Sequence, residues 1–151
     1  MTVAFIGSVD YQRKPFLIIK MWEVLLSLIK NDGADVFLFA NAGQFDSDFY
    51  KMLSQVKERY SNIERHYYHG GFDYGVGYVS YMEVFYDKVF FPPMGTPLLR
   101  DLRNRAMIDK CDIVVAYCNP ESKETANHRI VARSIDYARK NNKRIINLFG
   151  R

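Results

Sequence analysis

The chain has 151 residues, 48% of them hydrophobic and 25% charged, with a formal net charge of +4. That length suits one domain with a substantial core, residues 1–151, and the balance excludes a disordered or low-complexity polymer. The mild positive excess is compatible with anionic small molecules or nucleic acid, without the wide basic footprint that dominates DNA affinity.

Taken in order, apolar runs of strand length alternate with longer amphipathic runs. Residues 2–6 form a short apolar run stopped by Gly7, a buried first strand that starts without a basic leader. Phe16, Ile19, Trp22, Leu25, Leu26 and Ile29 recur at helical spacing, so 16–30 reads as a core-facing helix. Pro15 suits its first turn, and Asn31-Asp32-Gly33 supplies the stop. Residues 36–40 form a second strand, continuously apolar as in a parallel sheet covered on both faces. Phe45, Phe49, Met52, Leu53 and Val56 mark an amphipathic helix over 45–60, and 63–69 alternates as a third strand.

Residues 70–77 hold four glycines and Asp73, the composition of a mobile loop, a lid or an ordinary connector. The stretch 78–86 fits helix or strand equally. Residues 87–91 read as a strand ended by Pro92-Pro93, and Thr96-Pro97 is a cap signature opening the next helix. Then come the strand Ile113–Tyr117, a loop over 118–125, the helix Ala126–Lys140 and a last strand over 144–149. Cys111 and Cys118 bracket the fifth strand, roughly 23 Å apart at about 3.3 Å per residue. They cannot bridge, and free thiols suggest a reducing compartment. No apolar run reaches membrane-spanning length, so the expected location is cytoplasmic. Of the eleven tyrosines, six fall between Tyr67 and Tyr86, where they belong to a core, a pocket or an oligomer interface.

This alternation predicts an open α/β sheet with right-handed crossovers, in which ligands collect outside the carboxyl ends of the strands. The candidate site is therefore the turns over 7–13, 41–46 and 118–124. In the first, Gly7 allows close backbone approach, and Ser8 and Arg13 suit an anion. In the second, Gly43 tolerates positive φ, the amides of the helix start suit a phosphate, and Asp46 either caps the helix or meets a ribose hydroxyl. The third offers Asn119, with Glu121 and Glu124 as carboxylates for acid–base chemistry or for a solvated loop. One glycine in the first turn makes neither a dinucleotide fingerprint nor a P-loop. His66 and His69 fall on opposite faces of their strand, so no shared metal is expected, and His128 is assigned no chemistry.

The most distinctive run is Arg103-Asn104-Arg105-Ala106-Met107-Ile108-Asp109, three residues before Asp112 and the apolar strand. Its arginines suit bidentate pairing with carboxylate or phosphate, or they pair with Asp109 on an exposed helix face. Together with Phe5-Ile6-Gly7 and Gly43-Gln44-Phe45-Asp46, this run resembles the short bacterial members of the SLOG superfamily. That superfamily is named for DNA-processing Smf/DprA proteins and the Lonely Guy enzymes. The resemblance implies a Rossmann-like α/β fold, a three-layer sandwich with a mostly parallel sheet. It also implies a nucleotide-type ligand and a homo-oligomer.

Carried over residue by residue, the resemblance singles out Gly7, Gly43, Phe45, Asp46, Arg103 and Asn104, to which the turns add Ser8, Arg13 and Asn119. The chain departs from the family pattern at Ser8-Val9, Asn41-Ala42 and Asn119-Pro120-Glu121-Ser122, where His-Arg, paired glycines and a Gly-Gly phosphate loop are usual. The expectation is a binding protein or sensor for a nucleotide or nucleotide-derived molecule, without cofactor, metal or membrane. The alternatives are a nucleotide N-glycosidase of Lonely Guy type using Glu121 or Glu124, and single-stranded DNA binding.

Overall fold

A computed structural model of the chain describes residues 1–71, 74–93, 100–121 and 126–150, with 126 and 127 by backbone alone. The elements run β1 (Thr2–Gly7), α1 (Pro15–Asn31), β2 (Val36–Phe39), α2 (Gln44–Val56), β3 (Glu64–Tyr68) and α3 (Val76–Phe85). They continue with β4 (Lys88–Phe90), α4 (Arg100–Lys110), β5 (Ile113–Tyr117), α5 (Ala126–Lys140) and β6 (Arg144–Asn147). The strands form one sheet in the order β4-β3-β2-β1-β5-β6. Every pairing among the described residues is parallel. The fold is α/β, a Rossmann-like three-layer sandwich.

Two apolar layers follow from the strand pleat, which sends successive side chains to opposite faces. On one face Phe5, Phe37 and Phe39 meet Met21 and Leu25 of α1 and Phe49 and Leu53 of α2. The Phe5 ring lies 4.3 Å from Phe49 and 4.9 Å from Phe39. On the other face Ala4, Ile6, Leu38 and Val114 meet Met107 and Ile108 of α4 and Val131 and Ile135 of α5. Chain order thus places α1 and α2 on one side of the sheet and α4 and α5 on the other. The order reverses between β1 and β5, the switch point at which α/β sheets open toward ligands.

The helix face expected for α1 is rotated. Phe16 and Ile19 are about three-fifths exposed, while Leu17, Met21, Leu25 and Leu28 are buried. The helix carries one polar stripe of Lys20, Glu23, Ser27 and Lys30, with Phe16 within it, and its opposite stripe packs on the sheet. Its end matches expectation: Gly33 takes φ 70°, and the amide of Ala34 donates to the Leu28 carbonyl at 2.9 Å.

The ambiguous stretch is a helix, and α3 begins at Val76, inside the run expected to be a loop. The reason is topological. β3 and β4 are adjacent and parallel, so the chain must cross a face of the sheet between them, and a helix satisfies its own backbone on the way. Phe72, Asp73 and the Thr96-Pro97 cap lie outside the described residues. Both cysteines are free and buried. Among the described residues no helix is long and apolar enough to cross a membrane.

The end of β1 meets the start of α2 with no space to spare. A Cβ on Gly7 would clash with Cδ1, Cγ and Cβ of Phe45, and Phe45 is 2% exposed. Gly7→Ala is therefore expected to cost about 1–3 kcal/mol of stability in urea unfolding, the range for overpacking. Adding Phe45→Leu should recover part of that loss, and equal, additive effects would show that the contact is not what requires glycine.

Candidate functional site

The end of β1, the turn after β2 and the N-terminal halves of α4 and α5 converge at the carboxyl rim of the sheet. Gly7, Ala42, Asp46, Arg103 and Asn104 line one crevice there, closed by Ile130 and Val131 of α5. Its volume is about 20 Å³, room for a single water at most. A ligand at this crevice lies across its mouth.

Asp46 turns back toward the loop after β2. Its buried carboxylate accepts the Ala40 amide at 3.1 Å and the Ala42 amide at 3.4 Å. The Ala40 and Ala42 amides are thus already used, and Asp46 ties down the turn before α2 without capping the helix's own first amides. Gly43, at the N-cap of α2 with φ 153°, permits the turn that folds the carboxylate back. Burial pushes the Asp46 carboxyl up to about 6, against the amides of Ala42 and Ala40 and the attraction of Arg103.

Arg13 has a partner that no local pattern shows. Its guanidinium pairs with Asp48 of α2 through Nε at 3.1 Å and through a second, shorter bond from Nη2. Asp48 is buried, and it also accepts the Tyr11 hydroxyl at 2.7 Å and the Gln44 amide at 2.8 Å. Burial raises the Asp48 carboxyl, but the bonds from Arg13, Tyr11 and Gln44 outweigh it and hold the group below the ordinary carboxylate range. Arg13, expected to meet an anion, thus clamps the loop after β1 to α2, with its side chain half exposed. Phe45 likewise fills the core instead of facing the crevice, packed edge-on to Tyr11 at 5.3 Å and to Phe49 at 5.1 Å.

Ser8 is buried. Its Oγ accepts the Asp10 amide at 3.2 Å, and its amide donates to the Tyr117 carbonyl at 3.0 Å. Asp10 reaches across to α5, where its carboxylate lies 3.4 Å from Nδ1 of the buried His128. Asn119 makes an Asx turn, its Oδ1 accepting the Glu121 amide at 3.0 Å. Glu121 is exposed, while Ser122 and Glu124 lie outside the described residues.

The Arg103–Asp112 run divides between packing and the rim. Met107 and Ile108 are core. Asn104 donates to Ser134 Oγ at 2.9 Å, joining α4 to α5. Arg105 sits over the Tyr137 ring at 5.1 Å, and Tyr137 donates to Asp109 at 2.6 Å. Asp112 latches β5 to β1, accepting the Thr2 amide at 2.9 Å. Arg103 turns to the rim, beside Asn104. A Cβ on Gly70 would come 2.9 Å from its Nη1, so the guanidinium lies against the end of β3.

Among the described residues, Arg103 donates only through Nε, to Asn104 Oδ1 at 3.2 Å, and no carboxylate lies within ion-pair distance. Burial and the nearby Arg100 draw it below its ordinary value, against Asp46. Beside it, the Tyr67 hydroxyl meets His69 Nδ1 at 2.8 Å. Burial, then Arg103, lowers the His69 imidazole. The spacing of Tyr67 and His69, two residues apart on one strand face, is the signal that marks this pair in sequence. None matches this chain among protein-family models or curated proteins.

Because the Asp46 carboxyl is raised in the fold, it holds its proton more tightly folded than unfolded. The stability it contributes is full below pH about 4 and is lost as pH rises through about 6, a difference of about 3 kcal/mol. Carbon-13 NMR should place its titration near 6, and Arg103→Met should move it higher. A midpoint near 4 in both proteins would show that the carboxyl stays hydrated.

Proposed function

We propose that this protein binds a small anionic ligand, a nucleotide or nucleotide-derived molecule, across the carboxyl rim of its sheet, as a binding protein or sensor. One observation carries the reading: the partly buried Arg103 guanidinium has no carboxylate in ion-pair reach among the described residues. A cation left in that state is costly, and an incoming phosphate or carboxylate offsets the cost with bidentate bonds. Arg100 adds positive charge at the same helix start. The rim is also where open α/β sheets receive ligands, next to the reversal of strand order. The nucleotide class rests on the SLOG resemblance and on the match between guanidinium and phosphate.

Binding to Arg103 leaves Asp46 and Asn104 as the polar groups nearest the anion, both already hydrogen-bonded within the fold. They orient the guanidinium. Calorimetry with nucleoside monophosphates should show Arg103→Ala weakening the best of them by tenfold or more, since a charge-assisted bond contributes about 1.5–3 kcal/mol. Equal affinity in mutant and parent would remove Arg103 from the site. Native mass spectrometry of freshly purified protein should show an anionic metabolite retained by the parent and lost from the mutant.

A further inference from the structure

A second concavity opens on the other side of the turn that carries Asp46. Asn41 and Ser47 form its rim, and the rings of Tyr50, Tyr81, Phe85 and Tyr86 form its walls between α2 and α3. We propose that this groove is the base subsite, taking the planar heteroaromatic ring of a ligand whose anionic group meets Arg103. The proposal rests on the reading of Arg103 given above, and it adds the recognition of the ring.

Size is the first argument. The groove measures about 190 Å³, below the roughly 300–1,000 Å³ of a site for a whole drug-sized ligand, so it suits one ring system. Its walls are aromatic and already held in place. Tyr50 donates its hydroxyl to the Phe85 carbonyl at 2.6 Å, and the Arg65 guanidinium sits 4.2 Å over the Tyr50 ring. The Tyr50 and Tyr86 rings meet edge to face at 5.2 Å, as do those of Tyr81 and Phe85 at 5.0 Å. Tyr81 is 57% exposed and Phe85 40%, which leaves ring surface open for stacking.

Chemistry at the rim favours a heteroaromatic ring over a plain hydrocarbon. Asn41 offers an amide with both donor and acceptor, the pairing group for the edge of a base, and Ser47 offers a hydroxyl. Among the described residues neither side chain is hydrogen-bonded to another. Asn41 is held at φ 52°, a conformation that Asn tolerates better than most residues. Position is the third argument. Asn41 and Ser47 flank the same turn whose Ala42 and Asp46 line the Arg103 crevice, so one ligand spans both sides of a single loop.

Calorimetry on the full chain with the four common nucleoside monophosphates, their nucleosides and ribose 5-phosphate tests this. Tyr81→Ala should weaken the best monophosphate about tenfold and leave ribose 5-phosphate unchanged. Arg103→Ala should weaken ribose 5-phosphate and leave nucleoside affinity unchanged. Asn41→Asp, which swaps the amide donor for a second acceptor, should reorder the preference among bases. An azido-substituted base should photolabel the peptide carrying Tyr81. If Tyr81→Ala changes no affinity while Arg103→Ala still weakens the monophosphates, the groove proposal fails and the anion site stands. If Tyr81→Ala instead lowers the sedimenting mass without altering binding, the groove is a contact between copies of the chain, and the base subsite is overturned. Absence of all nucleotide binding by the parent protein ends both readings.

Discussion

The carboxyl end of β1 and the first turn of α2 meet where there is no room for a side chain at Gly7, and this contact sets the layout of the rim. With Phe45 driven into the core, the next residue, Asp46, is turned under the end of β2 and takes the Ala40 and Ala42 amides. Three residues from Phe45, Asp48 is carried to the loop after β1, where Arg13 and Tyr11 find it. The turn between β2 and α2 is thereby pinned on both sides. That rigidity allows a crevice and a groove to share it without collapsing into each other.

Charge at this rim is arranged asymmetrically. Two buried carboxylates serve the two arginines in different ways. Asp48 gives Arg13 a full partner and is itself held ionised by three donors. Asp46 spends its acceptor capacity on backbone amides and reaches Arg103 only through the field between them. Arg13 is thus a structural clamp and Arg103 is not. Two arginines of similar standing in sequence separate completely once their carboxylates are placed. The same reasoning assigns Arg105, stacked on Tyr137, to the joint between α4 and α5.

Much of the candidate site was legible as positions and little of it as roles. The turns after β1 and β2 do converge with α4, because open parallel sheets bring the carboxyl ends of their strands to one rim. What each residue does there depends on partners 30 or more positions away, such as Arg13 with Asp48 or Asn104 with Ser134. No local spacing encodes such pairs. The aromatic groove was visible only as a crowd of tyrosines between Tyr67 and Tyr86, since its walls come from two helices.

Taken alone, the order of apolar periods determined the alternation of strands and helices, the parallel sheet and the buried face of α2, whose Phe45, Phe49, Met52, Leu53 and Val56 are all in the core. Those features are local, because hydrophobic spacing shows the burial pattern of an element wherever one side is clearly apolar. Tertiary structure decided the rest: that residues 76–85 cross the sheet as a helix, and that among the described residues Arg13 meets a carboxylate while Arg103 does not. Each of these depends on what the rest of the chain brings alongside. A stretch without a clear period has no fixed form until the sheet demands a crossover, and a cation has no assigned role until its counter-charge is placed.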